Sequence, residues 1–158
     1  MSIQVGDKIP KATLNYLKDG VQAIDTDELF GGRKVVMFAV PGAFTPTCSA
    51  KHLPGYVQHL AEFEKRGYEV ACLSVNDAFV MKAWAEAHDA LGKIVMLADG
   101  TAAFSKALGI DVDLDKFGMG VRCGRGLFIV EDGTVTSVEM EAPGKLEVSS
   151  AEACALKL

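Results

Sequence analysis

Two apolar runs rich in β-branched residues, Lys34–Val40 (KVVMFAV) and Tyr68–Val75 (YEVACLSV), limit what this chain can become. Neither alternates apolar with polar, so each reads as a strand buried on both faces. Between them, Thr47–Arg66 carries a long amphipathic helical pattern closed by Gly67. Strands of this kind need helices packed over them, which points to an α/β sandwich around a central sheet. Pro54 falls inside the predicted helix and, lacking an N–H to donate, is expected to kink it.

The alternation continues downstream. Asp77–Ala90 reads as a helix, Lys93–Leu97 as a third strand, and Thr101–Leu108 as a helix ended by Gly109. Leu127–Val130 and Thr134–Met140 flank Asp132-Gly133, a strong hairpin signal. Ser149 or Ser150 can cap a last short helix. Upstream, Ala12–Leu17 and Val21–Ile24 flank a further turn signal, Asp19-Gly20. Asp25 with Glu28 resembles a capping box for a short helix over Thr26–Phe30. The late hairpin makes the sheet mixed. The expected fold is thioredoxin-like: one domain over residues 1–158, a mixed central sheet flanked by helices, and an N-terminal hairpin extension.

Charge narrows the partners. Lys and Arg number 16 against 21 Asp and Glu, a net charge of −5. A mildly acidic surface argues against nucleic acid and anionic membranes, and no apolar run approaches a membrane span. Met1–Pro10 does not have the pattern of a signal peptide, and Leu156-Lys157-Leu158 lacks the Ser of the peroxisomal tripeptide. A cytoplasmic setting with reduced thiols is expected.

The four cysteines are Cys48, Cys72, Cys123 and Cys154. They form no C-x-x-C pair and have no zinc-ligand spacing, so neither metal nor cofactor is expected. Cys48 stands out through its surroundings, PGAFTPTCSA at 41–50. A strand ends at Val40 and a helix opens near Cys48. Helix N-termini carry partial positive charge, and that favours a thiolate, the reactive form. Thr45 can donate to an attacked oxygen or serve only as an N-cap, and Pro41 can shield the sulfur or serve only as a turn residue.

The segment Pro41–Cys48 has the P-x-x-x-T-x-x-C form of the peroxiredoxins. VPGAFTPTCSAKHLPGY, ACLSVNDAFVMKAW and LADGTAAFSKALGI resemble the type II subfamily, also called the peroxiredoxin-five subfamily, and its plant-type glutaredoxin- or thioredoxin-dependent members in particular. The resemblance implies peroxide reduction through a Cys48 sulfenic acid. It implies that Thr45 orients the peroxide and Pro41 shields the thiolate. It adds Arg125, in VRCGRGLFIVEDG, as the guanidinium beside Cys48; Arg122 does not match that offset. The expected partners are hydrogen peroxide or alkyl hydroperoxides, glutathione with glutaredoxin or else thioredoxin, and a second copy of the chain. Phe79 and Val80 lie in a region that could form the dimer contact.

The fate of the sulfenic acid stays open. Cys72 matches a plant-type cysteine but sits in a strand pattern, so it is expected to be buried. Cys123, two residues before Arg125, would face the same way in an extended chain and could resolve or regulate. Ser149 stands where related chains carry a resolving cysteine, and Cys154 lies five residues past that position. A one-cysteine cycle with an external thiol is the simplest reading. A dithiol oxidoreductase and a redox sensor or holdase are the alternatives. His52, four residues after Cys48, reads as structural in preference to a metal ligand or base, and Trp84 as a core residue.

Overall fold

The computed structural model describes residues 2–17 and 20–158. A seven-stranded sheet forms its centre. The chain enters through β1 (Thr13–Leu17), β2 (Val21–Asp25) and α1 (Thr26–Phe30). It continues as β3 (Lys34–Ala39), a π-helical turn over Cys48–His52, α2 (Leu53–Lys65), β4 (Tyr68–Ser74), α3 (Ala78–Ala87) and β5 (Val95–Ala98). It ends with α4 (Ala103–Leu108), β6 (Asp111–Asp113), β7 (Val121–Cys123), β8 (Gly126–Glu131), β9 (Thr134–Met140) and α5 (Ala151–Ala155). The order across the sheet is β2-β1-β5-β4-β3-β8-β9.

The apolar runs that read as buried strands, β3 and β4, lie at the centre and pair in parallel, with Phe38 opposite Cys72. β5 continues the parallel set, and β8 joins the other edge of β3 antiparallel, so the sheet is mixed as expected. Alternation along β3 assigns the two core layers. Val36, Phe38 and Val40 pack with Cys48, Tyr56, Phe63 and Trp84. Val35, Met37 and Ala39 pack with Leu73, Phe104, Cys123 and Phe128 on the other side.

The hairpin turn between β8 and β9 places both Asp132 (φ 47°) and Gly133 (φ 76°) in the left-handed region, the pattern of a type I′ turn. Of the earlier turn signal, Asp19 lies outside the described residues; the strands on either side pair in register, Leu17 opposite Val21.

Three local expectations differ from the structure, and one small element lay outside them. The capping box does not form, because Asp25 accepts from the Thr13 hydroxyl at 2.8 Å and does not cap α1. α4 starts two residues late: Ala102 is left-handed (φ 61°), and the buried Asp99 carboxylate accepts from the N–H groups of Phe104 and Ser105. Pro54 does not produce a plain kink. It sits in the first turn of α2 behind the π turn, where the Leu53 N–H reaches back to the Cys48 carbonyl. An α-helical turn there would press the Pro54 ring against the carbonyl of Ala50, and the wider turn removes that clash. The small sheet of β6 and β7 was not anticipated at all. Its strands are too short for periodicity to register.

Candidate active site

Pro41–Thr45 forms the corner between β3 and the helix that carries Cys48. Helical geometry begins at residue 46, and the first turn-closing bond runs from Ser49 N–H to Thr45 O at 3.0 Å. Cys48 therefore lies in the first turn, where main-chain N–H groups have no carbonyl one turn back. Two polar bonds fasten the corner. The Thr45 hydroxyl donates to Gly42 O at 2.6 Å, and the Ala43 N–H donates to the Asn76 carboxamide at 3.0 Å. Phe44 holds a left-handed backbone (φ 64°), which a bulky residue adopts only when its neighbours force it.

Cys48 is fully buried. Arg125, just before β8, reaches across the sheet end, and its Nη2 donates to Cys48 Sγ at 3.0 Å. A guanidinium at that distance stabilises negative charge on the sulfur, the more so where water is excluded. Arg125 is held in turn. Its Nη1 lies 2.7 Å from Nδ1 of His52, and the other ring nitrogen of His52 is 2.9 Å from Ser149 O. A carbonyl only accepts, so Nε2 carries the proton and Nδ1 accepts from Arg125. Burial keeps His52 neutral by drawing its pKa down from 6.5 to about 4, and the nearby Arg125 charge adds to this.

Ser149 is the anchor of this chain of contacts. Its carbonyl also accepts from the Tyr56 hydroxyl at 2.8 Å. Its N–H and hydroxyl both donate to one oxygen of Glu141, which the N–H groups of Glu147 and Val148 reach as well. Burial would raise the Glu141 pKa, but these donors together hold it below the usual carboxylate value. Ser150 caps α5 by accepting from Ala153 N–H, leaving Ser149 free for Glu141.

The structure thus brings Pro41, Thr45, Cys48 and Arg125 to one corner. It does not bring the other cysteines there as reactive groups. Cys72 is fully buried in β4, and burial pushes its thiol well above the ordinary value. Cys123 belongs to the opposite core layer, with its Sγ 3.1 Å from Val40 O, and burial raises its pKa to about 12. The extended geometry that would have turned Cys123 and Arg125 the same way ends at Cys123, where β7 stops. Cys154, in α5, is raised to about 12 by the same cause. Sequence reasoning did not find the parts played by His52, Glu141, Ser149 and Asn76. The i, i+4 spacing of Cys48 and His52 was the one available signal, and it names no partner for the imidazole.

The family model for Redoxin matches residues 4–154. Peroxiredoxin-2E-2, chloroplastic, of Oryza sativa subsp. japonica is 48% identical, over 96% of this chain and 70% of its own length. Reduced Prx3 from Vibrio vulnificus, solved in complex with H2O2, is 49% identical over 98% of each chain, with a TM-score of 0.94. A Burkholderia cenocepacia chain provisionally described as a thioredoxin reductase is 45% identical, covers 100% of this chain and 99% of its own, and has a TM-score of 0.98.

Proposed function

The chain belongs to the Redoxin family, and within it to the type II peroxiredoxins, and on that premise we propose how its residues reduce peroxides. It is a thiol-dependent peroxidase with a peroxide substrate and a thiol reductant. In our reading the Cys48 thiolate attacks the terminal, hydrogen-bearing oxygen of the hydroperoxide. An S–O bond forms and the O–O bond breaks. The released alkoxide or hydroxide takes a proton and leaves as alcohol or water. Sulfur has given up two electrons and is now a sulfenic acid.

The observation that carries this reading is the contact of Arg125 Nη2 with Cys48 Sγ at 3.0 Å. The same guanidinium, with the first-turn N–H groups, is suited to stabilise charge on the departing oxygen. The proton of Thr45 is committed to Gly42 O, so its free lone pair is available to accept from the peroxide O–H. Pro41 screens the sulfur from water.

An external thiol completes the cycle. One thiol condenses with the sulfenic acid, releasing water and forming a mixed disulfide; a second displaces Cys48 and leaves as the disulfide. Glutathione with glutaredoxin, or thioredoxin, fits this role. The raised thiol pKa values of Cys72, Cys123 and Cys154, and the place of Cys123 in the opposite core layer, support a cycle in which none of them pairs with Cys48. The reductase description of the Burkholderia chain does not transfer, since this sequence has no C-x-x-C dithiol. Cys48→Ser is expected to abolish peroxide reduction, whereas Cys72→Ser, Cys123→Ser and Cys154→Ser keep most of it with dithiothreitol as reductant. Full turnover by the Cys48 variant overturns the assignment.

A homodimer in the cytoplasm belongs to the same proposal. Phe44 and Phe79 are 56% and 64% exposed, and Asn76 ties the segments that carry them together, which supports an apolar contact beside the site. Phe79→Glu is expected to lower the sedimenting mass to that of one chain. A monomeric wild type overturns this part.

A further inference from the structure

The chain has four arginines, Arg33, Arg66, Arg122 and Arg125. Arg33 and Arg66 sit on the surface and pair with Glu69 and Glu62. Arg125 is taken up by Cys48 and His52. Arg122 is different. It projects from β7 onto the corner that carries Cys48, and it makes no ion pair among the described residues.

Two carbonyls aim its guanidinium. Nε donates to Met119 O at 2.9 Å, and Nη1 donates to Pro41 O at 3.4 Å. A methyl group placed on Gly42 would come within 2.8 Å of Arg122 Nη1 and 3.1 Å of Thr45 Cγ2, so glycine is what lets the guanidinium lie against the corner. Nη2 has no partner among the described residues. No fully buried side-chain nitrogen or oxygen there lacks one, so Nη2 is not sealed from solvent. Among the described residues, no carboxylate pairs with this half-buried cation. A guanidinium fixed along one edge, reachable along the other and without a counter-ion among the described residues is prepared for an anion, and its planar fork matches a carboxylate.

We propose that Arg122 docks a carboxylate beside the Cys48 corner, belonging either to an organic hydroperoxide or to the thiol that reduces the sulfenic acid. This rests on the peroxidase reading and deepens it. The β6–β7 hairpin is then a specificity element, and small uncharged peroxides bypass it.

The test compares charged and neutral partners of equal shape. In the first arm, kcat/KM is measured for linoleic acid hydroperoxide and for its methyl ester. In the second, the sulfenic acid is reduced with 3-mercaptopropionate or with its amide. Wild type is expected to prefer the carboxylate in at least one arm by about tenfold, the scale of a charge-assisted hydrogen bond, and to lose the preference in high salt. Arg122→Gln is expected to bring that ratio close to one, and Arg122→Lys to keep part of it. The ratio cancels any loss common to both partners, so a loosened corner does not imitate the effect. The responding arm identifies the source of the carboxylate. Wild-type ratios of one in both arms, or a ratio unchanged in Arg122→Gln, overturn the proposal. Turnover of hydrogen peroxide by wild type is measured alongside. Its absence would overturn the peroxidase reading, whereas its presence with flat ratios would overturn only the role of Arg122.

Discussion

At the residue scale, the reactive corner depends on a neutral imidazole. His52 touches Arg125, not the sulfur, so it is a positioning residue. His52→Leu removes the acceptor at Nδ1 and leaves the Arg125 fork free to turn. Displacements of about 1 Å at a reacting centre cost on the order of a hundredfold in rate. The expected result is a loss of that size in kcat/KM for hydrogen peroxide, with partial rescue in His52→Gln, whose carboxamide oxygen can accept from Arg125. A merely structural role would show the same loss in both variants. Cys48, Thr45 and Pro41 were legible because they lie within eight consecutive positions and chemistry restricts each of them. Arg125 became legible only through resemblance, since nothing local ties it to a loop 77 residues away. His52 and Glu141 stayed unread because their partners are a side chain and main-chain groups that meet only in the fold.

At the scale of elements, the π turn is the feature with a consequence. It takes up Pro54 and also sets the rotation between Cys48 and His52, which must meet the same guanidinium. Pro54→Ala supplies an N–H and removes the ring clash, so the turn can tighten to α geometry. Helix propensity then favours the variant by up to a few kcal/mol, while Cys48 and His52 rotate apart. The expected outcome is an equal or higher Tm with peroxidase activity down about tenfold or more. Unchanged activity would show that the turn does not set the site. Elements of ordinary length were readable, β3, β4 and α3 among them, because buried runs and helical periods repeat often enough to stand out. The π turn was not, since it keeps the helical pattern and differs from an α turn only by one residue in its hydrogen bonding. β6 and β7 have three residues each, too few for any period to show.

At the scale of the whole molecule, the last stretch of chain is fastened to the sheet end through Ser149, and acid attacks that fastening from both sides. His52 titrates at about 4 in the fold against 6.5 for a free imidazole. As pH falls, the unfolded chain therefore binds the proton first. The stability that His52 contributes is complete above about pH 6.5 and is lost as pH falls towards 4, on the order of 3 kcal/mol in all. Glu141 is held below its ordinary value of 4.5, so its contribution is present above that pH and is lost further down. Both groups act on Ser149, and Arg125 is held through one of them. Mild acid should therefore release residues 141–158 and Arg125 together, before the parallel centre of the sheet opens. Urea unfolding at pH 7, 5.5 and 4.5 would measure this in wild type and in His52→Gln. Wild type should lose stability across that range, and the variant should show a slope shallower by about one proton. Hydrogen exchange at pH 5 should find the amides of Glu147, Val148 and Ser149 less protected than those of β3 and β4. Equal slopes in the two proteins would mean that the buried imidazole does not carry the acid sensitivity, and equal protection would mean that the C-terminal segment opens only with the whole fold.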